Sequence, residues 1–328
     1  MNRARLLRIG LKVLRLVAVL LVVSTLCFFS LALLPGDPAR LMLGDAATDQ
    51  SVATLRDQLG LDLPMMQRFT DWLGGVVTGD LGSSYRTGQA VTRILAERAP
   101  VTIELILLSQ VIALGLAIPA AIVAAHRRRT GTDRALSLWV FTSLSTPDFV
   151  VGVVLVWIFS VQLGWLPANG YSPWSEGVSA HLSSLLMPAI ALAGTSFALY
   201  QRVLRADLVE TLRQDYIEVA RAKGISSARI TFRHALRPSL LGLSTQIGVT
   251  VGMLIGSTVV VESLFGLPGI GDELAGAVTA RDYIEVQGLV LVIAACFVLV
   301  NALVDVLYPV IDPRLAKAGS RRTRGGAR

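Results

Sequence analysis

Three acidic residues stand inside or at the edge of long apolar stretches: Glu104, Asp148 and Asp305. A carboxylate near the centre of a membrane costs at least ~2.5 kcal/mol, so such residues commonly serve a transport pathway or ion coupling. Glu104 and Asp305 fall near the ends of their stretches, where this cost is smaller and a helix-packing or interfacial role is favoured. Asp148 follows Pro147, whose freed backbone groups also need partners, so a structural role and a pathway role are equally open.

No chemistry of ATP hydrolysis is visible in the sequence. A phosphate-binding loop needs Gly-x-x-x-x-Gly-Lys-Ser/Thr, because its lysine reaches the terminal phosphates. Lys12, Lys223 and Lys317 are the lysines of the chain, and each follows Leu or Ala. The histidines are scattered without metal-ligand spacing, and no Gly-x-Ser-x-Gly motif occurs. We therefore expect no catalysis, metal or cofactor on this chain, and we interpret Cys27 and Cys296 as small apolar packing residues.

A row of glycines occurs in the stretch "GVTVGMLIG". Gly248, Gly252 and Gly256 are four residues apart, which places them on one face of a helix and lets another backbone approach closely. Helix packing within the chain is the simplest interpretation. A seam with a second membrane subunit and the lining of a pathway are the alternatives.

The elements that must position these residues are membrane spans. The chain has 328 residues, 53% hydrophobic and only 16% charged, with a mean hydropathy of +0.62. Soluble domains usually carry about a quarter charged residues, and a spanning helix needs about 20 apolar ones. Six stretches qualify, so we predict an all-α polytopic membrane protein. They are residues 16–34, 101–125, 135–163, 182–204, 239–262 and 286–309.

The distribution of Lys and Arg predicts the orientation of these spans. With a cytoplasmic N-terminus, the inner segments hold 23 of the basic residues and the outer segments hold 7. Such a bias is typical of membrane topology, so we expect both termini in the cytoplasm and no nucleic-acid partner. The inner segments are residues 1–15, 126–134, 202–238 and 310–328; the outer segments are residues 35–100, 164–181 and 263–285.

This topology divides the chain into regions. Residues 1–34 are expected to hold a cytoplasmic N-terminus and a retained first helix, and residues 97–312 a core of five helices. Residues 35–96 are too long for a simple connector and show short helical patterns, which predict a small extracytoplasmic cap. The basic tail, residues 313–328, can contact anionic membrane lipid or remain solvated.

A polar insertion interrupts the apolar pattern at "DYIEVARAKGISSARITFRHALRP", residues 215–238. Apolar residues recur at helical spacing from Asp207 onward and predict one helix with a narrow apolar stripe. The stripe consists of Leu208, Leu212, Tyr216, Val219 and Ala220.

The insertion also contains helix boundaries. Gly224 predicts a left-handed helix end, and Ser226 is expected to cap a second short helix. Pro238 fits the first turn of the fifth span, because its missing N–H costs nothing there. Four acids stand among the bases, which argues against a lipid-surface helix and favours docking on a soluble partner. They are Asp207, Glu210, Asp215 and Glu218.

The stretch "YIEVARAKGISSARITFRHALRP" resembles the EAA loop of permease subunits of binding-protein-dependent ABC importers. The resemblance is nearest to the dipeptide, oligopeptide and nickel branch, and it covers nearly the whole chain. Further landmarks of that branch occur in order: "LPGDP", "GDLGSSYRTGQAV", "STPDFVVG", "FGLPGIG" and "IDPR". Two departures are visible: Val219 stands where the motif has Ala, and Gly242 lies near the place of an expected proline, with Pro238 earlier.

The resemblance implies a type I importer permease fold with six transmembrane helices, located in a prokaryotic inner membrane. It implies that the EAA loop, residues about 205–238, forms a coupling helix that docks on an ATPase. The coupling residues would be Tyr216, Glu218, Val219, Ala220, Ala222, Lys223, Gly224, Ile225 and Ser226.

The expected partners follow from the same resemblance. They are a second homologous permease, two cytoplasmic ABC ATPases that carry ATP and Mg, and an extracytoplasmic solute-binding protein. Short peptides are the expected substrate, with nickel, another small chelate or a glutathione-like solute as alternatives. From other classes, an ion-coupled secondary transporter and a scaffold without transport activity are the competing hypotheses. The absence of a convincing internal repeat disfavours the former.

Overall fold

The computed structural model describes residues 3–32, 37–44 and 47–311. Parts of the first predicted span, of "LPGDP" and of "IDPR" lie outside this range, as does the basic tail. The described chain is almost entirely helical. The α-helices are α1 (Arg3–Ala32), α2 (Pro38–Leu43), α3 (Asp49–Gln58), α4 (Met65–Thr78), α5 (Val91–His126), α6 (Gly131–Ser145), α7 (Asp148–Leu155), α8 (Val178–Thr211), α9 (Asp215–Ala222), α10 (Ser227–Arg229), α11 (Leu236–Phe265), α12 (Ile270–Thr279) and α13 (Tyr283–Ile311).

Long apolar helices confirm the all-α polytopic class. Within the described residues, four helices are long and apolar enough to cross a membrane, or up to five if one bent pair counts as a span. A shorter apolar helix covers Leu16–Leu31. The count of six spans therefore stays a prediction. The four helices are Val91–His126, Val178–Thr211, Ser227–Phe265 and Tyr283–Ala302.

The bent pair replaces the predicted third span, residues 135–163. Gly131–Ser145 and Asp148–Gln162 meet at 104°, a much sharper change than the kink expected at Pro147. Thr146 has extended backbone angles (φ −101°, ψ 121°), and Pro147 precedes the first residue of α7. Proline disfavours helical angles at the preceding residue and offers no N–H, so the helix ends there.

Contacts divide the chain into two compact units. Unit 1 comprises residues 1–102 and 268–298, and unit 2 comprises residues 103–267 and 299–328. In unit 1, α2, α3 and α4 occupy the region of the predicted cap. Aromatic rings form the core of unit 1: Phe28 of α1 and Phe69 of α4 meet edge-on with ring centroids 5.2 Å apart, and Trp72 is buried beside them.

Charged side chains organise the start of the cap. Asp37 accepts a hydrogen bond from the Ala39 amide (3.0 Å) and caps α2, with Pro38 as the first helical residue. Arg56 donates to Asp37 (2.8 Å) and to Asp62 (2.6 Å). Burial raises the pKa of the Asp37 carboxyl, but the hydrogen bonds from Arg56 and Ala39 outweigh it and lower the pKa below its ordinary value.

A buried acid ties the landmark "GDLGSSYRTGQAV" to the residues just before α13. Asp282 is 1% exposed and accepts hydrogen bonds from the Ser84 hydroxyl (2.6 Å) and the Arg86 amide (3.0 Å). Its second oxygen accepts from the Glu285 amide (3.2 Å). These bonds join segments that are far apart in sequence.

Helix α8 is the centre of unit 2, because it packs against α6, α7 and α11 and is buried along most of its length. Small residues of α5 line up beside it, with Ala113, Ala117 and Ala121 fully buried at a four-residue spacing. The Tyr200 hydroxyl donates to the side chain of Gln110 within this core, so these two buried polar groups satisfy each other.

Candidate functional site

In the EAA segment, residues 205–238, the part before Gly224 is two helices and not one. Helix α8 ends at Thr211, a turn follows, and Gln214 is extended (ψ 146°) before α9 begins. The single apolar stripe predicted across this turn is therefore wrong. The break changes the register, so that Ile217 and Ala220 point inward while Tyr216 and Val219 are 47% and 52% exposed.

The segment has a small apolar core of its own. Ile217, Ala220 and Ile230 are buried together, and Leu212 and Ile225 pack against them. Two of these residues lie before the glycine turn on α9, and Ile230 lies after it. Their contact holds α9 and the helix after the glycine turn together as one folded piece.

Gly224 ends α9 in the left-handed conformation, as predicted, with φ +76°. Its amide donates to the Arg221 carbonyl (2.9 Å), and the Ile225 amide donates to the Ala220 carbonyl (3.2 Å). This pair of bonds is a Schellman motif, which favours glycine at the left-handed position. No atom lies within 4 Å of the position that a Cβ would take, so the space around Gly224 is open.

Two boundary predictions need correction. Ser226 occupies the position before α10, but no side-chain hydrogen bond caps that helix. α10 continues through a π-helical stretch (Ile230–Ala235) directly into α11, so the fifth span does not start at Pro238. The wider π-helical turns lie just before Pro238 and let the helix accommodate the proline without breaking.

Tyr216 compensates for that proline. In an α-helix the carbonyl of His234 would accept from the amide of residue 238, and proline has no N–H. The Tyr216 hydroxyl donates to this carbonyl at 3.2 Å. A side chain of α9 thereby binds the helix that follows the glycine turn.

The spans hold the segment by polar contacts. Arg205 on α8 donates twice to Asp133 near the start of α6, both at 2.8 Å, and the Arg129 amide donates to the same carboxylate (3.0 Å). Nε2 of His126, at the end of α5, lies 2.9 Å from the Thr231 hydroxyl. Asp133 is 6% exposed, so its ion pair is largely screened from water.

Most of the predicted coupling residues form the outer surface of the segment. Ala220 is buried and Ile225 half-buried in the small core, whereas the other seven are exposed. The exposed residues are Tyr216, Glu218, Val219, Ala222, Lys223, Gly224 and Ser226. Phe232, a large aromatic residue in the same basic stretch, is 61% exposed and was not among the predicted coupling residues.

The predicted glycine row does not form one packed seam in this chain. Gly248 and Gly252 are buried in α11. Gly256 is exposed, and no atom lies within 4 Å of a Cβ built on it.

The intramembrane acids have different surroundings. Glu104 accepts a hydrogen bond from the Trp174 indole (2.9 Å), and its other oxygen lies 3.3 Å from Nε2 of His181. Asp148 accepts from the Thr195 hydroxyl (2.7 Å). Asp305 lies in α13, and its side chain is outside the described part of the chain.

The described residues contain no cluster of His, Cys, Asp or Glu that could hold a metal ion. Cys27 and Cys296 are both free thiols. The geometry therefore defines a polytopic helical membrane protein whose distinctive feature is a folded, exposed loop anchored to several spans.

Family models match both parts of the chain. Residues 117–317 match "Binding-protein-dependent transport system inner membrane component", and residues 6–106 match the N-terminal component of such systems. The chain therefore belongs to the binding-protein-dependent transport system inner membrane components, which confirms the family inferred from its motifs.

Curated relatives cover nearly the full length. A putative peptide transport system permease protein of Brucella abortus is 39% identical over 304 residues, which is 93% of this chain and 97% of that protein. The glutathione transport system permease protein GsiC of Escherichia coli (strain K12) is 36% identical over 304 residues, with the same coverage. A probable peptide ABC transporter permease of Sinorhizobium fredii is 36% identical over 299 residues, covering 91% and 96%.

A solved structure shares the fold. The MetNI methionine ABC transporter in an inward-facing conformation aligns with a TM-score of 0.53 at 18% identity, over 66% of this chain and 96% of the other. The helices of the present chain therefore adopt the fold of an ABC importer permease.

Proposed function

We propose that the chain is a permease subunit of an ATP-driven importer and forms half of the translocation pathway for short peptides. The observation that carries this proposal is the EAA segment. It is a folded unit with its own core, it is anchored to the ends of three spans, and it exposes seven of the nine residues expected to meet an ATPase.

The segment is proposed to face the cytoplasm and to dock in a cleft of an ABC ATPase. Two such ATPases would supply ATP hydrolysis and Mg, since the sequence offers no phosphate-binding loop. A second, related permease would complete the pathway. An extracytoplasmic solute-binding protein would deliver the substrate to the outer loops, and both termini would lie in the cytoplasm.

The anchoring contacts suggest how motion is transmitted. When the ATPases close, they would displace the EAA segment as one piece, because its core and the Schellman turn resist deformation. The displacement would reach α6 through Arg205, α5 through His126 and α11 through the continuous helix. ATP shifts the equilibrium between access states only through contacts that differ between those states.

Short peptides are the preferred substrate class, because relatives named as peptide permeases match across nearly the whole chain. A glutathione-like solute is the second candidate, supported by the GsiC relatives. Uptake of radiolabelled dialanine and of glutathione by proteoliposomes with the complete transporter distinguishes the two.

Replacement of Gly224 by Leu tests the coupling role. The position of a Cβ at Gly224 is open within this chain, so the new side chain is expected to obstruct a seated partner. Backbone strain adds about 1–2 kcal/mol, as for any non-glycine residue in this conformation. We expect normal membrane insertion, loss of ATPase co-purification and loss of ATP-dependent uptake.

Gly164→Leu is the matched control, because Gly164 also has a positive φ (+63°) and no atom within 4 Å of a Cβ, but it lies outside the EAA segment. This variant should still co-purify with the ATPases. Normal ATP-dependent uptake by the Gly224→Leu variant contradicts the coupling proposal. Uptake driven by a proton gradient without any ATPase favours the ion-coupled transporter.

A further inference from the structure

A cavity of about 360 Å³ lies among α5, α6, α7 and α8 of unit 2. Its volume falls within the roughly 300–1,000 Å³ range of small-molecule sites. The walls are mainly aliphatic, with aromatic rings from Trp139 and Phe197. Gly194 also lines the cavity, and no atom lies within 4 Å of the position of a Cβ there, which leaves room beside α8.

Asp148 is the one ionisable residue among the described residues that line this cavity. One of its oxygens accepts the Thr195 hydroxyl at 2.7 Å. Its other oxygen receives no hydrogen bond from the described part of the chain. A carboxylate in apolar surroundings is costly unless a cation or further donors satisfy it. Among the described residues, Asp148 therefore has one hydroxyl donor and no positively charged partner.

The hydroxyl groups of the cavity favour the same kind of ligand. Thr142 donates its hydroxyl proton to the Leu138 carbonyl (3.0 Å), and Thr146 donates to the Thr142 carbonyl (2.9 Å). Thr195 donates to Asp148. Because each hydroxyl has a single proton, these three oxygens can only accept further hydrogen bonds. These three hydroxyls and the Asp148 carboxylate are thus acceptors, whereas the Ser143 hydroxyl, which also lines the cavity, can donate or accept.

An ammonium group matches this lining, since it carries one positive charge and three donors and has no acceptor. The aromatic rings add a surface that attracts cations: Trp139 and Phe197 lie 4.7 Å apart at an angle of 36°, and Trp139 is 51% exposed. A carboxylate would be repelled by Asp148 and would find a donor among these hydroxyls only at Ser143. Such a lining would favour the ammonium end of a peptide over its carboxylate end.

We propose that this cavity binds the α-ammonium group of the transported peptide, with Asp148 as the ion-pair partner and Thr195 as its positioning residue. This inference rests on the proposed function, and it makes Asp148 a determinant of substrate specificity. Peptides with a blocked amino terminus would bind poorly, because acetylation removes both the charge and two of the three donors.

Binding to the complete transporter in nanodiscs, without the solute-binding protein, tests the proposal. The probes are dialanine and N-acetyl-dialanine, titrated by calorimetry. A charged hydrogen bond contributes about 1.5–3 kcal/mol, so wild-type protein should prefer dialanine by about tenfold or more. Asp148→Asn should remove the preference by weakening dialanine alone, and Asp148→Glu should restore part of it.

Two further variants separate recognition from folding. Glu176→Gln changes an exposed acid outside the cavity and should leave the preference intact. Gly194→Leu fills the cavity and should weaken the binding of both probes. Thr195→Val keeps the Asp148 carboxylate but removes its donor, and it should reduce the preference for dialanine over N-acetyl-dialanine. If Asp148→Asn fails to fold, the two α8 variants decide the question, and unchanged binding in both overturns the proposal.

The outcomes also separate this inference from the proposed function. Equal binding of the two probes by wild-type protein, or an unchanged preference in Asp148→Asn, overturns the ammonium site even when peptide uptake is normal. A purely structural role of Asp148 would lower the Tm of Asp148→Asn and leave the preference unchanged. Absence of any ATP-dependent peptide uptake by the wild-type transporter contradicts the proposed function itself.

Discussion

The EAA segment and the loop at residues 164–177 both connect helices of unit 2, but they are stabilised in different ways. The EAA segment forms a buried cluster from its own side chains and closes with a Schellman turn. The 164–177 loop contains only a 3₁₀ turn (Trp174–Glu176) and is tied down by residues of neighbouring helices. A self-supporting segment can move as one piece, whereas a tethered loop follows the helix ends that hold it.

The tether of the 164–177 loop centres on His181, which is 1% exposed. Its Nδ1 lies 2.9 Å from the Ser172 carbonyl, and its ring stacks on Trp174 at 3.9 Å. A carbonyl only accepts hydrogen bonds, so Nδ1 carries a proton. Glu104 completes the arrangement, because it contacts both His181 and Trp174.

The largest expected effect tests how firmly the EAA segment is anchored. Arg205→Ala leaves the Asp133 carboxylate nearly buried without its ion-pair partner, which should lower the free energy of unfolding by about 3 kcal/mol. Thermal unfolding of the purified permease measures the change. Arg202→Ala, on the exposed side of the same helix, is the control and should leave the Tm unchanged. Equal effects of the two variants would show that the ion pair contributes nothing.

A second prediction addresses the tethered loop. His181→Ala removes the stacking on Trp174 and the hydrogen bond to Ser172, and should destabilise the loop by about 2 kcal/mol. Limited proteolysis within residues 164–177 should become faster, with little change at the EAA segment. Trp165→Phe, at a 70% exposed position, serves as the control. If cleavage of the EAA segment accelerated equally, the two loops would not be independent.

The hydrogen bond between Tyr216 and the His234 carbonyl can be tested with a second substitution that restores the lost donor. Tyr216→Phe should cost about 1 kcal/mol, because the His234 carbonyl loses its donor. Adding Pro238→Ala supplies a backbone N–H to that carbonyl and should recover most of the loss. Hydrogen exchange of the amides around residues 230–238 measures both variants. A double variant less protected than Tyr216→Phe alone would contradict this explanation.

The smallest expected effect on stability is that of replacing Val219, which departs from the EAA motif, by the alanine of the motif. Val219 is 52% exposed on the outer face of α9, so Val219→Ala should change the free energy of unfolding by less than about 0.5 kcal/mol. Any change should appear in the affinity for the ATPase. A large loss of thermal stability would place Val219 in a packed environment that the structure does not show.

Local chemistry explains which elements could be predicted. Gly224 ends α9 in the left-handed conformation because glycine has no Cβ to oppose it. Pro147 ends α6 for equally local reasons, although the size of the bend, 104°, was not predictable. The apolar stripe through Tyr216 and Val219 was misassigned, since the turn after α8 has no strong breaker residue and only the packing of Ile217 reveals the register.

Composition and motif order determined that this is a polytopic helical permease of the binding-protein-dependent transport systems, as the apolar helices and the family match confirm. These properties depend on hydrophobicity and on short-range backbone preferences, which each residue carries with it. Tertiary structure alone decided the partners of Asp133 and His181. It also decided that Tyr216 donates to the His234 carbonyl, which lacks a donor because residue 238 is proline, and that Asp148 accepts from Thr195. Those contacts join residues distant in sequence, and their distances depend on how the helices pack.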